Sequence, residues 1–177
     1  MDNIALIIHS FAAAVLVGGM ILLFLAVTPA TWLIDDAKLR RAVTRVVTRR
    51  FAIFTGIALI ALLITGIYQF TSDTITPPDV QDDIANFHFG RIFMVKMFLV
   101  PLLVIVIGVH GMWFGPRIGR ATDAVVESNN DSEAVWKLES LRRTSLIFSF
   151  GMLALGVAIY GLGVTLGNHG YSHVPIP

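Results

Sequence analysis

Lys96 lies inside the apolar run from Phe89 to Phe114, FGRIFMVKMFLVPLLVIVIGVHGMWF, with Arg91 near its start and His110 near its end. An ionisable group that deep in hydrocarbon costs about 3 kcal/mol or more, so it normally faces a bundle interior or a site. The first apolar run carries one titratable group, His9. An imidazole is a metal ligand through either ring nitrogen, and an ammonium pairs with a carboxylate. Three further histidines, His88, His169 and His173, sit at the margins of apolar runs. Whatever chemistry the chain does depends on which of these groups its helices bring to one depth.

The background settles the class of elements. Of 177 residues, 55% are hydrophobic and 14% charged, where a soluble domain has about a quarter charged. The mean hydropathy of +0.76 fits a membrane protein with the lipid bilayer as its first partner. No cysteine is present, which excludes disulfides, thiolate metal sites and thiol catalysis. The net charge of +1 carries no nucleic-acid signal, and no such partner is expected. Asp2 replaces the basic start of a signal peptide, so the first run is read as a retained helix.

Four stretches are long enough to cross a bilayer, which takes about 20 apolar residues. They run from 4 to 28, 51 to 70, 89 to 114 and 144 to 166, forming one domain over residues 1–177. Pro29 is expected to close the first. Lys38, Arg40, Arg41, Arg45, Arg49 and Arg50 precede the second, where Leu39, Val43, Val46 and Val47 recur at helical intervals and predict an amphipathic helix that runs into the second span. The second connection holds Asp73, Asp79, Asp82 and Asp83 and no Lys or Arg. The third has Arg117, Arg120, Lys137, Arg142 and Arg143, with a turn expected at Ser128–Asp131 between two short helical pieces. A short tail follows Leu166.

Eleven of the thirteen basic residues therefore fall in the first and third connections and none in the second. The positive-inside rule places those two connections in the cytoplasm and both termini outside. The expected fold is all-α, an up-down four-helix bundle in the bacterial inner membrane. Small residues favour close helix approach, so the Ser10, Ala14 and Gly18 stripe, together with Gly156 and Gly163, is expected at helix contacts. Those faces also permit a homo-oligomer or packing beside other membrane subunits.

Counting about 1.5 Å per residue puts His9 and Lys96 at a common depth, roughly 7 to 11 Å below the outer surface. Each has a plainer reading. His9 alone is also a hydrogen-bonded packing histidine, and Lys96 a snorkelling side chain. His110 beside Gly111 and Trp113 suits the interfacial belt. His169 and His173 also read as decoration of a mobile tail, the loop aspartates as a solvated surface, and Met94 with Met97 as core filler.

His9 with Gly18-Gly19 and Pro29, Arg49-Arg50-Phe51 leading to Thr65-Gly66-Ile67-Tyr68, and Gly90-Arg91 followed by Val95-Lys96, with His110 at the far end, form a pattern. It resembles the copper-resistance protein D (CopD-like) family and the related HemJ-type membrane proteins. The chain has Leu16 where CopD-like proteins tend to carry a tryptophan. It lacks the aromatic run and Pro-Arg pair that follow the histidine in HemJ-type proteins. The resemblance implies a bundle that binds haem b or handles copper in its outer half.

Two classes of function follow as expectations. In the first, a b-type haem subunit passes electrons, with His9 as an axial ligand. Lys96 then meets a propionate or takes the second axial position, Arg91 suits the other propionate, and His88 and His169 compete as second ligands. In the second, His88, His169 and His173 collect copper and His9, Met94 and Met97 pass it inward. A fixed cation at Lys96 opposes the second by repulsion. An accessory structural subunit of a larger complex is a third class.

Overall fold

The computed structural model describes residues 2–128 and 131–176. Eight α-helices follow in order: α1 (Asp2–Leu22), α2 (Thr28–Trp32), α3 (Ala37–Thr71), α4 (Pro78–Asp82), α5 (His88–Val109), α6 (Gly115–Glu127), α7 (Ser132–Gly167) and α8 (His169–Ser172). Four helical stretches, Asp2–Thr31, Lys38–Thr71, His88–Glu127 and Ser132–Gly167, are long and apolar enough to cross a membrane. No β-strand occurs among the described residues; one isolated antiparallel bridge joins Phe87 to Pro175.

The helices run further than the apolar stretches. Pro29 does not close the first span, because a π-turn at Leu23–Val27 leads into α2 with the proline in its first turn. There the missing N–H of proline costs nothing, and the Thr28 N–H reaches five residues back to the Leu23 carbonyl. The same device recurs at His110–Phe114, a π-turn followed by Gly115-Pro116 at the start of α6. The basic segment runs into the second span as one helix, as expected. Asp36 caps α3, its Oδ1 accepting from the N–H groups of Lys38 at 2.8 Å and Leu39 at 3.3 Å, and the helix continues unbroken to Thr71. At the expected turn, α6 ends at Glu127 and the Glu133 N–H bonds to Asp131 at 3.1 Å on entry to α7. Asn129 and Asn130 lie outside the described residues. The helical piece after that turn continues into the fourth span within α7.

By packing the chain divides into two units, Met1–Met97 with Val157–Pro177, and Phe98–Gly156. The first unit holds the α1–α3 seam. Ala12, Leu16 and Met20, four residues apart on α1, are buried, as are Thr55, Ala58 and Thr65 on α3. Helical geometry puts each set on one face. Ser10, Ala14 and Gly18, expected at a contact, are instead exposed, because they lie two residues, about 200°, around α1 from the packed stripe. The close approach falls to Gly19, where an added Cβ would lie 2.8 Å from the Phe51 ring.

The same unit contains a second, tighter cluster. Thr76 donates to the Gln69 carbonyl at 3.0 Å, and Ser172 to that of Leu166 at 3.0 Å. The tail is fastened to the second connection by His88 N–H to Val174 O and Ile176 N–H to Asn86 O, at 3.2 and 2.7 Å. Thr76, Val80 and Ser172 are the largest fully buried side chains of the described residues. The tail, whose histidines also read as decoration of a mobile segment, forms a packed cap with the acidic connection, whose aspartates stay exposed.

In the second unit, α5 continues past Pro101 and, after the π-turn, α6 leaves as an amphipathic helix. Phe114 is buried against Phe148, with ring centroids 5.1 Å apart, and Leu103, Ala121, Leu138, Met152 and Gly156 are buried.

Candidate functional site

His9 is half-buried on α1, and its ring meets α3. His9 Nδ1 lies 2.8 Å from Thr65 Oγ1, while the Thr65 hydroxyl is 2.6 Å from the Ala61 carbonyl of its own helix. The ring also lies against bare backbone: a Cβ on Gly66 would come 3.6 Å from His9 Cε1.

Lys96, half-buried on α5, reaches α7, where a Cβ on Gly163 would sit 3.4 Å from its Nζ. No hydrogen bond or ion pair engages the Lys96 ammonium among the described residues. His9, Thr65 with Gly66, Lys96 and Gly163 therefore come from four helical segments of one unit. They lie 7, 6, 8 and 4 residues from the ends Asp2, Thr71, His88 and Gly167, which is about 6 to 12 Å along each helix. His9 meets α3 and Lys96 meets α7, at similar distances from the ends of their own helices.

A polar rung closes the seam one to two turns away. Tyr68 donates to Asp2 Oδ1 at 2.7 Å and Ser72 to the same oxygen at 3.3 Å. Two apolar grooves run along the α1–α3 seam. One of about 160 Å³ lies over Leu16, Gly19, Phe51 and Thr55, and one of about 290 Å³ over Ala5, Ile8, Thr65 and Tyr68. His9 and Lys96 line neither, and both fall below the ~300–1,000 Å³ of small-molecule pockets.

The other candidates lie elsewhere. Arg91 is exposed; it is five residues before Lys96, about 140° around the helix, and so faces away from it. His88 stacks on Tyr171 at 4.8 Å and His169 on His173 at 4.5 Å between centroids, in the cap. His88 is eight residues, about 12 Å of helix, from Lys96. His173 also meets the edge of Phe89 at 6.0 Å, and its Nε2 is buried without a partner. Burial first, then the nearby His169, hold the His173 pKa below the ordinary imidazole value, while Asp79 pulls it upward. Among the described residues no group of three or more His, Asp or Glu side chains is arranged to hold a metal ion.

In the second unit His110 is half-buried rather than displayed at an interface. Its Nε2 lies 3.4 Å from Ser149 Oγ and its ring 5.4 Å from Phe114, while the exposed Trp113 is covered by the Arg117 guanidinium at 3.9 Å.

Sequence reasoning missed Thr65, Gly66 and Gly163 as parts of the site. Thr65-Gly66 stood in the motif, but nothing in the sequence ties a threonine to a histidine 56 residues away.

The donor chemistry fits a haem in part. His9 offers an imidazole fixed at one nitrogen by a neighbouring helix, and Lys96 offers a cation for a carboxylate. In comparisons with known proteins, the chain matches no family model, no curated protein and no solved structure.

Proposed function

We propose that this chain is a CopD-like, multi-pass protein of the bacterial inner membrane with both termini outside. On this reading it is a b-type haem subunit that passes electrons. The observation that carries it is an imidazole held against Thr65 and Gly66 on α3 and an ammonium held against Gly163 on α7, within one unit. His9 Nε2, the ring nitrogen not engaged by Thr65, would hold the iron. Lys96 would neutralise a propionate or offer its amine to the iron. A bound haem b supplies one-electron redox chemistry at its iron. Arg91, His88 and His169 take no part in this reading, because of where they lie. The exposed small-residue face of α1 suits other membrane subunits or a second copy.

A visible spectrum of the purified protein tests this directly: a reduced b-type band is expected, with about one haem per chain. Copper retained with no haem band would overturn the reading and turn attention to His169 and His173 in the cap.

Two further expectations belong here. A reporter enzyme fused after Pro177 should be active only outside the cytoplasm, since basic residues crowd the first and third connections. Cytoplasmic activity would refute that topology. Lys96→Met keeps a good helix former but removes the charge, and Gly163→Val pushes a branched side chain into the place of Nζ. Both should weaken haem retention or shift its potential in the same direction. Wild-type titrations in both variants would remove Lys96 from the site.

A further inference from the structure

We infer that Thr65 is a positioning residue that fixes the tautomer of His9, so that the proton sits on Nδ1 and Nε2 presents a lone pair. A threonine hydroxyl has one proton to donate and lone pairs to accept with. Thr65 Oγ1 is 2.6 Å from the Ala61 carbonyl oxygen, which only accepts, so the hydroxyl proton is committed there. This is the usual back-bond of a helical threonine to the carbonyl four residues before it. The 2.8 Å contact with His9 Nδ1 then has one workable polarity, Nδ1–H donating to Oγ1. Thr65 is buried, with 6% of its surface exposed, so no bulk water competes for either bond. Neutral imidazole carries one proton, and with Nδ1 protonated the lone pair lies on Nε2.

The arrangement has the form of the outer-shell contacts that set the tautomer of metal-bound histidines. It differs in that the acceptor is a neutral hydroxyl itself locked by backbone. Ser72, Tyr68 and Asp2 on the same seam are engaged with one another and leave Thr65 as the partner of His9. The inference about the ligand atom rests on the proposed haem reading; the tautomer itself does not.

The test separates the two. In ¹⁵N-histidine-labelled protein in detergent micelles, with the His9 signals assigned by their loss in His9→Ala, one-bond and long-range couplings report which ring nitrogen bears the proton. The expected result is Nδ1–H with an unprotonated Nε2 in wild type. Thr65→Val, which keeps the branched shape but cannot accept, should shift His9 toward Nε2–H, and Thr65→Ser should restore the wild-type pattern. Haem affinity should fall about 10–100-fold in Thr65→Val and recover in Thr65→Ser, the usual scale for outer-shell partners. Wild-type His9 protonated on Nε2, or a tautomer unmoved in a folded Thr65→Val, overturns the inference. If Thr65→Val fails to fold, the wild-type measurement decides alone. A protein that never holds haem but shows Nδ1–H would sink the haem reading and leave the role of Thr65 standing.

Discussion

His9→Ala is expected to abolish the b-type spectrum completely while the protein remains helical and membrane-inserted. The fold should survive because the lost contact is small. Thr65 keeps its bond to Ala61, and removing one hydrogen bond of this kind costs about 1 kcal/mol. The α1–α3 seam is held by Ala12, Leu16 and Met20 against Thr55, Ala58 and Thr65, none of which changes. The cofactor, in contrast, would lose its only identified imidazole at that depth. Absorbance at the reduced band, normalised to protein and read beside circular dichroism, makes the comparison. A wild-type-like band in His9→Ala would remove it as a ligand and shift attention to His88 and His169.

Gly90→Ala is expected to be more destabilising than alanine at any other glycine whose surroundings are described. A Cβ at Gly90 would overlap the Ile84 carbonyl oxygen and lie 2.7 Å from its carbon. These are backbone atoms, so no rotamer change relieves the clash. The turn at Ile84–Asn86 must move, and Asn86 holds the tail through the Ile176 N–H. Overpacking typically costs 1–3 kcal/mol and sometimes more, and about 3 kcal/mol is expected here. Limited proteolysis should then cut both the second connection and the tail. Gly56→Ala is the control: its Cβ meets nothing within 4 Å, and alanine is the better helix former, so its melting temperature should hold or rise. Equal melting of Gly90→Ala and wild type would refute the packing of this turn.

Much of the fold was legible in the chain because span length and apolar runs depend on composition. The similar distances of His9 and Lys96 from their helix ends were legible because helical rise converts residue number into length. What failed was rotation. Ser10, Ala14 and Gly18 made the more obvious small-residue stripe, yet α1 packs through Ala12, Leu16 and Met20. In lipid both stripes are admissible, since apolar side chains lose nothing by facing hydrocarbon. Arg91 failed similarly: its sequence distance from Lys96 was right for depth and wrong for face. Pro29 misled because a π-turn absorbs what would otherwise be a break. The cap was hidden because it joins residues 73–90 to 166–176, two polar stretches with no periodicity of their own.

Val80 and Thr76 are each 1% exposed and Ser172 is 0% exposed, whereas Phe11 and Phe98 on the spans expose 70% and 71%. On the proposed membrane reading, the chain works in two solvents at once. In the cap, burying apolar surface is rewarded by the release of water, as in any soluble domain. Along the spans that reward is absent between helices. Urea acts by solvating apolar and peptide groups from water, so it should loosen the cap at concentrations that leave the spans helical. Exchanging one detergent for another should do the reverse, disturbing the α1–α3 seam while the tail stays fastened.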